Sequence, residues 1–283
     1  MTTTYSDIER TGRTDSGESL SGFLHAARCV RASWMLDLRS AEAFRANALL
    51  GTGISVAYLF FAIAPVLVAG RYLGQGDGWT QARLLFLQGV WYWMDAVLWT
   101  FCSKNISELQ EAVHTGRLDG LLLLPGDSLT RVMLGHISVS DLPKFILALA
   151  LGGYAVAAGA FPGPAWSVVE FVICLIAASV ILWTVSVFST VKVITLFTFD
   201  GLFALDAVHN LGRVPVSLYA PWLRIIFSSV LPVILITTVP STVFFGWSPW
   251  WMPAVPIAVA AVLVLLLRKA WHHEIRNYVG LQG

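Results

Sequence analysis

The segment VVEFVICLIAASVILWTVSVFSTVKVITLF, residues 168–197, carries Glu170 near one end and Lys192 near the other as its only charges. An apolar helix crosses the hydrocarbon core of a bilayer in about 20 residues. This run exceeds that length, which leaves room for tilt or for a turn projecting beyond the membrane. Both charged side chains sit where a flexible stem reaches the interface. A chain of 283 residues with 57% hydrophobic and 12% charged residues repeats the pattern elsewhere. Soluble domains carry about twice that charge. Water is therefore not the main solvent.

Working outward, the same length test marks spans at about Ala48–Gly70, Leu84–Cys102, Phe145–Phe161, Val168–Phe197, Leu223–Phe245 and Met252–Leu267. Asp141, Pro143 and Lys144 interrupt the third pattern, so that span is placed on the continuous run from Phe145. Six of the 18 basic residues precede Asn47, and three follow Leu267. Lys104, Arg117 and Arg131 follow the second span and Arg213 the fourth, whereas the loops 162–167 and 246–251 have no Lys or Arg. Basic residues are retained on the cytoplasmic side, which places both ends inside. Arg71 and Arg83 flank the first outer loop and weaken this bias. Trp247, Trp250 and Trp251 mark the outer headgroup layer.

The reading is an all-α integral membrane protein of six transmembrane helices in the cell membrane. Residues 1–20 are expected to be a disordered cytosolic tail, 21–46 an amphipathic interfacial helix, 47–270 the six-span domain and 271–283 a cytosolic tail. In the interfacial helix Phe23, Ala27, Val30, Trp34 and Leu38 share one face, flanked by Arg28, Arg31 and Arg39. Two readings stay open: a peripheral anchor in membrane lipid, or a connecting helix that carries force. After the second span, in the loop 103–131, Ser107 and Gln110 form a capping box and Gly116 supplies a stop, so a short cytosolic helix is expected. Ile106, Leu109 and Val113 make its apolar edge, and Glu108, Glu111 and His114 its polar side.

Cys29, Cys102 and Cys174 are widely spaced, which suggests neither a disulfide framework nor a zinc site. No metal site is expected, and no basic stripe with stacking aromatics points to nucleic acid. The sequence contains no GxxxxGK[ST], HExxH or GxSxG. No catalytic residue and no cofactor is assigned.

Asp95 lies near the middle of the second span, where an ionised carboxylate costs about 2.5–3.5 kcal/mol on insertion scales. Contact with substrate and a structural bond to another span are both open readings. Trp91 and Trp99 flank it and join it as candidates for a substrate path. Asp141 and Lys144, three apart, are expected to pair along a helix. Asp200, Asp206, His209 and Arg213 form either a gate network or a solvated face.

The loop Gly116-Arg117-Leu118-Asp119-Gly120-Leu121-Leu122-Leu123-Leu124-Pro125 resembles the membrane subunits of ATP-binding-cassette exporters of the second type. Arg213-Val214-Pro215-Val216-Ser217-Leu218-Tyr219, Leu231-Pro232, Val239-Pro240-Ser241 and the tail Ile275-Arg276-Asn277-Tyr278-Val279-Gly280 extend the likeness. Leu124 stands where that family more often has Arg. The resemblance implies a permease subunit that joins a second, identical or related, permease subunit and two cytosolic ATPase subunits. Those ATPases would hold the ATP and magnesium. It further implies that the helix from Asn105 to Thr115 is the coupling element, with Ser107, Glu108, Leu109, Glu111, Val113, His114, Gly116, Arg117 and Asp119 meeting the ATPase. The fifth span would be broken at Pro232 and Pro240. The expected function is export of a hydrophobic or amphipathic compound, and a self-sufficient secondary transporter or channel is the alternative.

Overall fold

The computed structural model describes residues 15–43, 45–72, 78–118, 120, 127–160, 163–191, 206, 209–224 and 234–277. Among these residues all regular structure is helical. Helix α1 spans Asp15–Ala43, α2 Arg45–Tyr72, α3 Gln81–Val97, α4 Lys104–His114, α5 Ser128–Leu134, α6 Pro143–Ala155, α7 Ala165–Val191, α8 Val239–Phe244 and α9 Ala254–Asn277. Three π-helical segments, Leu98–Ser103, Val156–Ala160 and Ile234–Thr238, adjoin α3, α6 and α8.

Among the described residues four helices are long and apolar enough to cross a membrane: Leu49–Val68, Val139–Ala160, Ala165–Val191 and Ala254–Arg276. A shorter apolar helix covers Ile234–Phe244. The outward faces of the long helices carry Ile54, Phe60, Phe61, Val169, Ile176, Val262 and Leu265, all exposed. Such a surface is stable against lipid rather than water.

Helix α3 is the core element, since every residue from Leu84 to Tyr92 and from Met94 to Leu98 is buried. It packs most closely on α6, because a Cβ at Gly89 would lie 3.1 Å from the Gly152 nitrogen and 3.2 Å from the Ala148 oxygen. The helices alternate in direction. Trp79, Val66, Ala160 and Phe244 gather at one end, where Ser167 Oγ donates to the Phe244 carbonyl at 3.0 Å. Leu109, Val113, Val191, Leu267 and Trp271 form the core of the opposite end. Arg83, the base that weakened the charge bias, lies at the tryptophan end with its guanidinium 4.7 Å from the Trp247 ring and Nη1 donating to the Gly78 carbonyl at 2.7 Å. Its charge is answered by an aromatic face and a carbonyl.

Several expected boundaries are corrected. The third apolar helix starts before Phe145, because Pro143 occupies the first helical turn, where its missing N–H costs nothing, and Lys144 is buried beside carboxylates. The expected capping box does not form: Ser107 lies inside α4, with its hydroxyl donating to the Ser103 carbonyl at 3.0 Å. The reason is that α3 runs through the π turn of Leu98–Ser103 into α4 without interruption, so the first-turn amides already have helical acceptors. Gly116 does end α4, at φ +70°. Pro240 does not break its helix, since the π segment Ile234–Thr238 runs straight into α8 and places the proline in its first turn. Pro232 lies outside the described residues.

Helix α1 begins at Asp15, inside the segment expected to be a disordered tail. Of its expected apolar face, Leu38 is 41% exposed and Trp34 makes a contact, beside which the buried Asp37 makes another. Both contacts are hydrogen bonds, given below. Val30 is half-buried, Arg28 and Arg31 are exposed, and the Phe23 side chain is outside the described set. The sixth apolar helix continues past Leu267 to Asn277.

Candidate functional site

Two polar assemblies stand out in this apolar bundle. The first surrounds Asp95 on α3, whose side chain is 0% exposed. Its Oδ2 accepts from Lys144 Nζ on α6 at 2.9 Å, and the same ammonium lies 2.9 Å from Asp141 Oδ1. Lys144 thus bridges two carboxylates, and its Nζ sits 5.4 Å from the half-buried Trp99 ring. The pairing of Asp141 with Lys144 expected along a helix is present, but it is a buried arrangement rather than an exposed pair. Asp95 comes with a structural bond to another helix, one of its two open readings.

On the other side of Asp95, its Oδ1 is 3.8 Å from Nε2 of the fully buried His209, beyond hydrogen-bond length. Trp91 stacks on that imidazole at 5.0 Å and donates from Nε1 to the His209 carbonyl at 3.1 Å. Arg213 caps the stack, with its guanidinium 4.3 Å from the Trp91 ring and hydrogen-bonded to the Tyr58 hydroxyl. Thr237 holds the turn by donating to the Gly212 carbonyl at 2.9 Å. Helices α2, α3 and α6, the turn Leu211–Arg213 and the segment Ile234–Thr238 therefore converge on one polar cluster. Trp91, a candidate for a substrate path, is 0% exposed at the centre of it. Asp206 is partnered by Asn210 Nδ2 at 3.1 Å, and Asp200 lies outside the described residues.

The second assembly joins α1, α4 and α5. Asp37 Oδ1 accepts from Lys104 Nζ at 2.5 Å, and its Oδ2 accepts from the Ile137 amide at 2.9 Å and lies 3.3 Å from His136 Nδ1. Trp34 Nε1 donates to the Leu134 carbonyl at 2.8 Å. Asn105 closes a reciprocal pair with His136, with Nδ2 donating to its carbonyl at 2.8 Å and Oδ1 accepting its amide at 2.9 Å. Burial alone pushes Asp37 up, yet the Lys104 hydrogen bond, the Ile137 amide and the charges of Lys104 and His136 outweigh it and hold the carboxyl below its ordinary value.

Helix α4 is amphipathic, and its apolar edge is spent within the chain. Ile106, Leu109 and Val113 are 0–1% exposed. Leu109, Val113 and Asn105, expected to meet a partner, face the bundle instead, because α4 has the hydrophobic end of α5, α7 and α9 beneath it. Ser107, Glu108, Glu111 and His114 are exposed, and Arg117 pairs with Glu111 at 2.5 Å. Asp119 is outside the described residues. Beside this face a groove of about 590 Å³ runs between α1, α4 and α5, lined by Ser33, Glu108, Arg117, Arg131 and His136 among others.

Sequence reasoning missed Asp37 and Lys104 as site residues, and it paired Lys144 with Asp141 but not with Asp95. The usable signal was that each is a lone charge beside an apolar run, which demands a partner of opposite sign. Among the described residues no group of His, Cys, Asp and Glu is arranged to hold a metal ion.

A family model described as ABC-2 family transporter protein matches residues 54–281. No curated protein and no solved structure matches the chain.

Proposed function

The chain belongs to the ABC-2 transporter family, and from that premise we propose that it is the permease subunit of an ATP-driven exporter of hydrophobic or amphipathic compounds. The observation that carries this reading is α4. It continues the core helix α3 through the π turn Leu98–Ser103, it shows an exposed polar face of Ser107, Glu108, Glu111 and His114, and it has its apolar face already buried. A partner pushing on that face moves the centre of the bundle directly. The sequence holds no P-loop, so hydrolysis of ATP with magnesium falls to two cytosolic ATPase subunits docked on this end.

A second permease subunit completes the pathway. The alternating helix directions and the shorter apolar helix Ile234–Phe244 support six spans with both termini in the cytoplasm of a cell membrane. Within this reading Trp91, Asp95, Trp99 and Arg213 belong to a gate, and α1 is a connecting helix fastened through Trp34 and Asp37. The alternative, a self-sufficient secondary transporter or channel, draws support from the paired charges of Asp95 and Lys144 within the bundle.

The two readings separate on α4. Reversing its acidic face with Glu108→Lys and Glu111→Lys is expected to lower the ATPase activity of the complex formed with its ABC ATPase partner by tenfold or more, with the permease itself still folded. Unchanged ATPase activity in that double variant removes the coupling role of α4.

A further inference from the structure

Resting on the permease reading, we propose that Lys144 is the positioning residue through which motion of α4 reaches the gate around Trp91 and His209. The two polar assemblies are joined by an unbroken series of contacts. Asn105 on α4 is locked to His136 by two hydrogen bonds of 2.8 and 2.9 Å. Two residues on, Ser138 donates its amide to the Thr100 carbonyl at 3.0 Å and its hydroxyl to Asp141 Oδ2 at 2.6 Å. Asp141 Oδ1 and Asp95 Oδ2 then share Lys144 Nζ, each at 2.9 Å. From Asp95 the next group is His209 at 3.8 Å, on whose imidazole Trp91 stacks.

The arrangement of Lys144 is what makes this series more than adjacency. One ammonium between two carboxylates has two competing partners, one tied to the α4 end through Ser138 and one fixed in the core helix. The side chains of Lys144 and Asp95 are 7% and 0% exposed and that of Asp141 19%, so water screens both attractions weakly, and a shift of Asp141 redistributes the ammonium between them. The π turn Leu98–Ser103 lies where α4 meets α3, and Thr100, inside it, is the acceptor for Ser138. Wide helical turns are points at which a helix bends. Tilting α4 there moves Asn105, His136 and Ser138 together, and Asp141 with them.

The test uses the assembled complex with its ATPase in lipid nanodiscs, compared without nucleotide and with ATP held on a hydrolysis-deficient ATPase. Amide hydrogen exchange is read over residues 104–117 and 209–219. Wild type is expected to change in both segments. Asp141→Ala leaves the Asp95–Lys144 pair charge-balanced, and so avoids an unpaired buried ion. It is expected to keep the change at 104–117 and lose that at 209–219, at an unaltered melting temperature. Lys144→Arg, which keeps a cation between the carboxylates, should retain part of the response at 209–219. A full response at 209–219 in Asp141→Ala, or no response there in wild type while 104–117 changes, overturns the inference. Absence of change at 104–117 in wild type instead refutes the ATPase-driven reading, and the inference falls with it.

Discussion

A carboxylate inside an apolar helix persists only when its charge is answered, and Asp95 is answered by Lys144 on a different helix. Asp37 obeys the same rule at the bundle's end, where it faces Lys104, the Ile137 amide and His136. Its folded value is depressed below the ordinary 3.8. The carboxylate's contribution is therefore complete above the unfolded value and is lost as pH falls below it through the lower folded value. Hydrogen bonds to a charged group contribute about 1.5–3 kcal/mol. Asp37→Asn is accordingly expected to lower the melting temperature in detergent at pH 7, and to lower it less at pH 3, where wild type has lost part of the same stabilisation. An equal deficit at both values contradicts the assignment. Neither pair was legible from the residues alone, because the partners of Asp95 and Asp37 lie 49 and 67 positions away and no local pattern encodes such distances. That Asp95 required a partner was legible, since the cost of a lone buried carboxylate is a property of the residue.

Helices were far easier to read than their partners. Length and hydropathy pointed to apolar helices where Ala165–Val191 and Leu49–Val68 lie, because a bilayer demands such length, while the expected end at Phe197 lies outside the described residues. Errors arose where a local signal had a second use. Pro143 starts a helix, Pro240 sits beside a π turn, and Ser107 back-bonds within a helix that never stopped. Close packing was equally silent, since Gly89 looks like any glycine in an apolar run. In the structure it lets α3 approach the backbone of α6 to within van der Waals distance of Gly152. Gly89→Val is therefore expected to push the two helices apart and to cost about 1–3 kcal/mol or more by overpacking. A loss of folded monodisperse protein, or a lower melting temperature, checks it, and wild-type stability in that variant refutes the close approach.

At the scale of the whole molecule the long helices present apolar faces outward, the core helix carries a charged cluster with Asp95 and Lys144 buried, and α4 presents charge at one end. Helix α4 was legible as an amphipathic segment ended by Gly116, whereas which of its faces stays exposed was not. Periodicity gives two faces and says nothing of which one the rest of the chain will cover. Leu109 and Val113 turned inward, and this leaves Glu108 and Glu111 exposed. The account therefore stands on the composition of the assembly. Native mass spectrometry of the chain co-expressed with its candidate ABC ATPase partner measures that composition directly. The account predicts a complex of two permease and two ATPase subunits. A chain that leaves the membrane alone, with no ATPase bound, would contradict it.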